Sequence, residues 1–332
     1  MAGMRAWRVH ELGEPAQVMR LDTVDRPAPG PRQVLVRVTG AAANFPDVLM
    51  CRGLYQVKPP LPFTPGIELC GEVVAVGAEV TGIAIGERVL GGSSLPYGGF
   101  AEYAIMEAAQ TFTAPPALDD AEAASLFVGY QTGWFGLHRR AALQAGETLL
   151  VHAAAGGVGS AAVQLGKAAG ARVIGVVGGP EKAEYARELG ADVVIDRRSE
   201  DFVEVVKRVT DNRGADVIYD PVGGDTYTRS TKCIAFEGRI LVIGFAGGDI
   251  QSAALNHALV KNYSIVGLHW GLYNAHDPAA VSECHRELTR LAAAGAIRPL
   301  IGERLTLADV ADGVQRLADG KTVGRVVCTP TA

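Results

Sequence analysis

The sequence predicts an α/β fold, with a doubly wound parallel sheet set beside a smaller, β-rich domain. One change of texture and one short loop carry that reading. Up to about residue 125 the chain alternates apolar and polar residues in short runs punctuated by glycine and proline. Beyond it, apolar strand candidates alternate with helical segments, the rhythm of parallel strands joined by right-handed crossovers. Early in that second part, Leu149 to Gly159 (LLVHAAAGGVG) runs an apolar strand straight into a small-residue turn and a helix.

In the first part, Gln33 to Gly40 (QVLVRVTG) alternates cleanly and Cys70 to Val76 more weakly. Gly86 to Leu90 and Phe100 to Ala104 are two further strand candidates, separated by a Gly/Ser/Pro loop. A helical stretch then runs from Asp120 to about Leu143, with a weak point near Gly129. Strands follow at Thr148 to His152, Arg172 to Val177, Val193 to Asp196, Val217 to Asp220, Arg239 to Ile243 and Ser264 to Leu268. Helices fall between them at Gly157 to Ala169, Glu181 to Leu189 and Phe202 to Thr210. These strands are short and apolar on both faces, as a sheet covered by helices on both sides requires. The tail holds an amphipathic helix from Pro278 to Ala294, the segment Leu305-Thr306-Leu307, a helix from Ala308 to Leu317 and a strand from Gly324 to Cys328.

The 332 residues suffice for two domains with separate cores. Acidic residues number 36 against 31 basic ones, a formal charge of −5 spread along the chain, so no basic stripe exists to collect nucleic acid. A small-molecule substrate is expected instead. The five cysteines are odd in number and never spaced as a zinc knuckle or redox pair, which reads as buried reduced thiols. Arg5, Arg8, His10 and Glu11 interrupt the N-terminal segment, leaving no apolar stretch for a signal peptide, so the expected location is the cytoplasm. Residues 149 to 166 carry no formal charge, but their glycines and alanines fit a strand, turn and helix better than a membrane span.

In the small-residue turn, Ala153, Gly156 and Gly159 form an A-x-x-G-x-x-G pattern. Small residues let the backbone turn tightly, approach a pyrophosphate and pack helix on strand, while the helix N-terminus points free amides at the phosphates. Ala154, Gly156, Gly157, Val158 and Gly159 are therefore the cofactor-binding candidates of this loop. An acid at the end of the second strand would bond the ribose hydroxyls of NAD. None stands there: Val177-Gly178-Gly179-Pro180-Glu181-Lys182 leaves room at Gly178 and places Lys182 where a 2′-phosphate would be met. Arg197, just past the third strand, is a second candidate for that phosphate. The alternative for both cations is solvated surface charge. NADPH is the cofactor this pattern favours.

Asn44-Phe45-Pro46-Asp47, Gly53-Leu54-Tyr55 and Pro65-Gly66-Ile67-Glu68 follow in order, with Gly71 and Gly77, and Val151 to Gly159 after them. Together with Asp220-Pro221-Val222-Gly223-Gly224 and Ile243-Gly244-Phe245, they resemble the zinc-free quinone oxidoreductase branch of the medium-chain dehydrogenase/reductase superfamily, over nearly the whole chain. The resemblance implies a Rossmann doubly wound sheet at 126–269, inserted into a GroES-like β domain made of 1–125 and 270–332, with substrate in the interdomain cleft. It also implies a homodimer joined through the edge strand near Tyr263 to Leu268. Thr132 matches a family threonine near the nicotinamide, and Val222, Gly223 and Phe245 match the family's cofactor lining. Tyr55, Asn44 and Asp47 are placed near the acceptor as catalytic candidates by the same resemblance. Tyr55 is read either as a donor to a developing oxyanion or as an aromatic wall, and Asp47 either there or in a structural hydrogen bond.

Zinc-dependent relatives in the superfamily carry a catalytic cysteine, a Gly-His-Glu motif and a four-cysteine lobe. Here Asn44 and Asp47 lie in the region of the cysteine, Ile67 replaces the histidine and 90–100 contains no cysteine, so no zinc site can be assembled from these positions. His152 reads as a packed strand-end residue. A quinone or activated enone accepts hydride with little electrophilic help, so the expected activity is an NADPH:quinone oxidoreductase. The alternatives are an enoyl or enone reductase and a non-catalytic NADPH-binding protein.

Overall fold

The computed structural model describes residues 3–330. Along the chain run β1 (Gly3–Val9), β2 (Met19–Asp25), β3 (Gln33–Ala42), β4 (Glu68–Val76), β5 (Arg88–Ser93) and β6 (Tyr103–Thr113). Then come β7 (Thr148–Val151), β8 (Arg172–Val177), β9 (Val193–Asp196), β10 (Ala215–Asp220), β11 (Ile234–Val242) and β12 (Ser264–Gly267), followed by β13 (Ile301–Leu305) and β14 (Arg325–Cys328). They fall into two compact units, one of residues up to Val128 together with those from Arg298 on, the other Gly129–Ile297.

In the first unit the sheet order is β13-β14-β3-β4-β5-β6, and β6 also pairs with β3, so the four strands β3 to β6 close on themselves. Closure leaves no unpaired edge among those four. Val34, Val36 and Val38 of β3, Leu69 and Val73 of β4 and Met106 of β6 are buried in one cluster with Val326 and Cys328 of β14. The β1–β2 hairpin joins through Trp7 N to Phe100 O at 2.9 Å and Val9 N to Phe63 O at 2.8 Å. This hairpin escapes period-two reading because Arg5, Arg8, Arg20 and Asp22 give its strands a charged composition. The α/β fold class expected from the sequence, a β-rich domain plus a doubly wound parallel sheet, is what the structure contains.

The second unit holds β12-β11-β10-β7-β8-β9, every neighbouring pair parallel. This is the nucleotide-binding order in which β7, first in sequence, sits inside and the chain reverses direction across it. Leu149, Leu150 and Val151 of β7 are wholly buried, as the covered centre of such a sheet demands.

Two boundaries differ from the sequence reading. The stretch from Asp120 divides into helices Asp120–Ala124 and Phe127–Trp134 and a π-helical turn Phe135–Arg140, with its first break at Ser125, whose hydroxyl bonds Ala121 O at 2.9 Å. Residues 270–297 belong to the second unit rather than to the β domain. Side chains explain this: the Tyr273 ring lies 4.2 Å from that of Phe135, Trp270 Nε1 donates to Gln131 Oε1 at 3.2 Å, and Arg139 pairs with Asp277 at 2.8 Å. Among the described residues no helix is long and apolar enough to cross a membrane.

Candidate functional site

In the first unit, the helix Phe45–Cys51 starts at Asn44, and Pro46 suits its first turn, where a missing N–H costs nothing. Asp47 lies on that turn, wholly buried. Its Oδ2 accepts Asn44 N at 2.8 Å, and its Oδ1 accepts Gly66 N at 2.8 Å and Ile67 N at 3.2 Å. One carboxylate thus ties the helix start to the Pro65-Gly66-Ile67-Glu68 loop. Gly66 has φ +99°, and a Cβ there would stand 2.6 Å from Phe100 N, so only glycine lets the loop pass. Burial pushes the Asp47 carboxyl up to about 6, opposed by the backbone N–H groups of Gly66, Asn44 and Ile67.

Glu68, at the start of β4, is the hub of a buried network. Its Oε1 accepts Asn44 Nδ2 at 2.9 Å and the guanidinium of Arg325 from β14, while Oε2 accepts Val128 N at 2.7 Å. The side chains of Arg325 and Glu68 are 4% and 0% exposed. Burial pulls Arg325 down to about 10, which leaves it cationic at neutral pH. Asn44 Nδ2 spends its second proton on Ala42 O at 3.1 Å, so the amide is held on both sides. Tyr55 is half-buried and packs on the core cluster. Burial, and then the charge of Asp47, push its phenol above the ordinary range, so the hydroxyl keeps its proton. Asn44 and Asp47 are thus brought together with their polar groups engaged by the protein, and Tyr55 stands near them.

In the second unit, the cofactor-binding candidates gather at the carboxyl edge of the parallel sheet. After β7, Ala153 takes φ +49° and the chain enters the helix Gly157–Ala168 with Gly156 as its N-cap. A Cβ on Gly159 would lie 2.1 Å from Ala153 O, so a side chain there would force the helix off the turn. Gly156, Gly157, Val158 and Gly159 therefore form the first turn, with Ala154 buried beneath and fixed by its N–H to Val176 O at 3.0 Å. The helix Phe127–Trp134, which carries half-buried Thr132, is fastened to the same helix by Gln164 Nε2 to Tyr130 OH at 2.9 Å.

At the end of β8, Gly178 is the seat of a cation: a Cβ there would meet Arg197 Nε at 3.3 Å. The Arg198 guanidinium lies likewise against Gly179. Lys182 is lowered by burial first and then by the charges of Arg198 and Arg197, so three cations converge on one spot. Asp196 is the acid beside this group: its Oδ1 accepts Gly179 N at 2.8 Å and Arg198 N at 3.0 Å, and these N–H groups, then the charges of Arg198 and Arg197, hold its carboxyl below the usual range. Arg198 is not among the cations the sequence pattern singles out, although it stands next to Arg197. After β10, Val222 and Gly223 donate their N–H groups to Asp220 Oδ1 at 2.8 and 3.0 Å, and the Phe245 ring lies 2.8 Å from where a Gly223 Cβ would stand. His152 is buried, with Nε2 at 2.8 Å from Ser230 Oγ, and burial drives it down to about 3, so it is a neutral packing residue.

Two family models match this chain: the alcohol dehydrogenase GroES-like domain over residues 30–116 and the zinc-binding dehydrogenase domain over residues 157–287. The quinone oxidoreductase-like protein 2 homolog of Nematostella vectensis is 40% identical over 325 residues, 97% of this chain and 88% of that protein. The chain belongs to the quinone oxidoreductase branch of the medium-chain dehydrogenase/reductase superfamily. As a medium-chain dehydrogenase/reductase it is an oxidoreductase with a GroES-like and a nucleotide-binding domain. Among solved structures, Escherichia coli quinone oxidoreductase complexed with NADPH superposes with TM-score 0.91 at 30% identity, covering 98% of this chain and 100% of that one. The CurK enoyl reductase superposes with TM-score 0.88 at 25% identity over 98% and 99% of the two chains. Within this quinone oxidoreductase family member, as far as the described residues go, no three His, Cys, Asp or Glu side chains are grouped to hold a metal ion.

Proposed function

We propose that this chain is an NADPH:quinone oxidoreductase acting in the cytoplasm. The observation that carries the cofactor reading is the convergence of Lys182, Arg197 and Arg198 on the Gly178-Gly179 turn, three cations beside the one Asp196 carboxylate that bonds the turn's backbone. The cradle fits the rest of the dinucleotide, because the tight turn through Ala154 and Gly156 leads into Gly157, Val158 and Gly159, whose first-turn amides have no acceptor within the helix and can meet a pyrophosphate. Thr132 takes the nicotinamide end, and Val222, Gly223 and Phe245 line the remainder. When bound, the nicotinamide supplies a hydride.

The residues of the first unit orient the acceptor and supply a proton. Tyr55, held protonated, donates to the acceptor oxygen on which negative charge develops. Asn44 and Asp47 act through others: Asp47 fixes the helix start and the Gly66 loop, and Asn44 is clamped by Glu68 and Ala42. They are positioning residues in this reading. Replacing Tyr55 by Phe should lower kcat about 10²-fold or more while leaving thermal stability nearly unchanged; unchanged kcat would make Tyr55 a wall of the pocket.

A homodimer through β12 fits the same reading. That strand is a sheet edge, and the helix before it exposes Leu255, Leu259 and Val260. Initial rates of NADPH and NADH oxidation by chelator-treated protein, with quinones, conjugated enones and an enoyl thioester, test the function. Quinone-dependent NADPH oxidation that survives chelation is the expected result. The likeness to an enoyl reductase favours a second reading, reduction of a conjugated double bond, which thioester activity without quinone activity would establish. No turnover with any acceptor would leave a binding role.

A further inference from the structure

The cofactor candidates occupy the carboxyl edge of the parallel sheet, and a separate cavity of about 370 Å³ opens near the amino ends of β10 and β11. Its lining includes Lys207, Lys232, Lys261, Asn212, Cys233 and Phe236, and no acidic side chain. The six residues of β10 separate it from the Val222 loop, about 20 Å along the strand at roughly 3.3 Å per residue. It is a different place from the dinucleotide cradle.

Three observations point to an anion here. Lys207 and Lys261 both pull against the burial that pushes the Cys233 thiol up to about 12, so their charges reach the same spot, and the one carboxylate acting there the other way, Asp201, is paired with Arg229 at 2.8 Å. Little neutralises them: Lys207 Nζ meets Glu204 at 3.3 Å through a carboxylate 68% exposed, Lys261 Nζ donates to the Thr231 carbonyl at 3.0 Å, and Lys232 Nζ pairs with no side chain among the described residues. Three like charges around one cavity repel unless a counter-charge enters. Finally, Phe236 is 70% exposed at the same cavity, a flat apolar face beside the cations.

We propose that this cavity is a second anion site that takes a nucleoside di- or triphosphate, its phosphates among Lys207, Lys232 and Lys261 and its base against Phe236. A single carboxylate would leave two of the lysines uncompensated, whereas a polyphosphate matches all three. The ring explains the base, since every nucleobase presents a π face to an aromatic side chain. Asn212 adds an amide able to donate or accept. The site does not depend on which cofactor or acceptor the carboxyl edge serves.

Calorimetric titration of the full chain with ADP, and separately with inorganic pyrophosphate, tests it. Since the dinucleotide cradle can take up phosphates too, the readout is the difference between variants. Lys232→Glu and Lys261→Gln, both at exposed positions, should each remove or weaken at least tenfold one class of ADP sites. Phe236→Ala should weaken ADP at that class and leave pyrophosphate unchanged, and Lys182→Ala should leave that class intact. ADP isotherms of Lys232→Glu and Lys261→Gln that superpose on the wild type, or loss of all ADP binding in Lys182→Ala, would overturn the proposal.

Discussion

Replacing Arg325 by Met would strip the wholly buried Glu68 carboxyl of its cation and leave it held only by Asn44 Nδ2 and Val128 N. Removing one member of a buried ion pair costs about 3–5 kcal/mol, roughly two to four powers of ten in the folding equilibrium of that unit. Glu68→Leu should cost at least as much, because it strands Arg325 and also leaves two donors without an acceptor. The double variant Glu68→Leu/Arg325→Met strands no charge, and only the two neutral donors remain, at about 1–3 kcal/mol each. It should therefore be more stable than the sum of the single losses by about 2 kcal/mol or more. Trp7 is buried in the first unit, while Trp134 and Trp270 lie in the second. Urea unfolding in a Trp134→Phe/Trp270→Phe background, followed by Trp7 fluorescence, reports the first unit alone. A loss under about 1 kcal/mol for Arg325→Met, or strictly additive variants, would refute the claim that this pair is a coupled buried charge.

Other consequences can be measured directly. Lys182→Ala and Arg197→Ala should each raise the KM for NADPH about tenfold or more, since a charge-assisted hydrogen bond contributes about 1.5–3 kcal/mol, while NADH kinetics stay put; equal effects on both cofactors would remove these cations from the 2′-phosphate. Gly159→Ala should abolish saturation with NADPH, because its Cβ would stand 2.1 Å from the Ala153 carbonyl oxygen, and dye-displacement or quenching titrations would show it. Asp47 has its carboxyl raised to about 6 in the folded chain, above the unfolded value of about 3.9, so the folded state holds the extra proton. Its contribution to stability is then present below about pH 4 and is lost as pH rises toward 6, and the difference in unfolding free energy between wild type and Asp47→Asn should fall across that window; a difference that rises instead would contradict the burial argument.

How far the sequence could be read depended on the range of the interactions involved. The parallel sheet was legible because β8 and β9 are apolar runs bounded by small or polar residues, and the strands at Arg172–Val177 and Val193–Asp196 fall where the pattern places them. The small-residue turn after β7 was legible because its requirement is local: a small residue wherever a Cβ would meet backbone. The β1–β2 hairpin was not, since its charged residues hide a strand that is secured by Phe63 and Phe100 rather than by its own pattern. Nor was the ownership of 270–297, which rests on the contact of Tyr273 with Phe135 across the chain. In the candidate site, Asn44, Asp47 and Tyr55 could be named, but the Glu68–Arg325 pair that clamps Asn44 could not, for its two residues stand 257 positions apart and no periodicity connects them.

That separation also has a meaning in time. A ribosome adding about 5–20 residues per second needs roughly 13 to 50 seconds to travel from Glu68 to Arg325. During that interval the Gly129–Ile297 unit is complete and contiguous, free to fold while the last strand is still being made. The first unit must meanwhile keep its acidic hub hydrated or half-formed, because the cation that makes burial tolerable has not been synthesised. The glycine-rich turn after β7 is therefore in place before the network around Asn44 and Glu68 is complete, and through that interval the newborn chain is exposed to whatever recognises an unfinished β barrel.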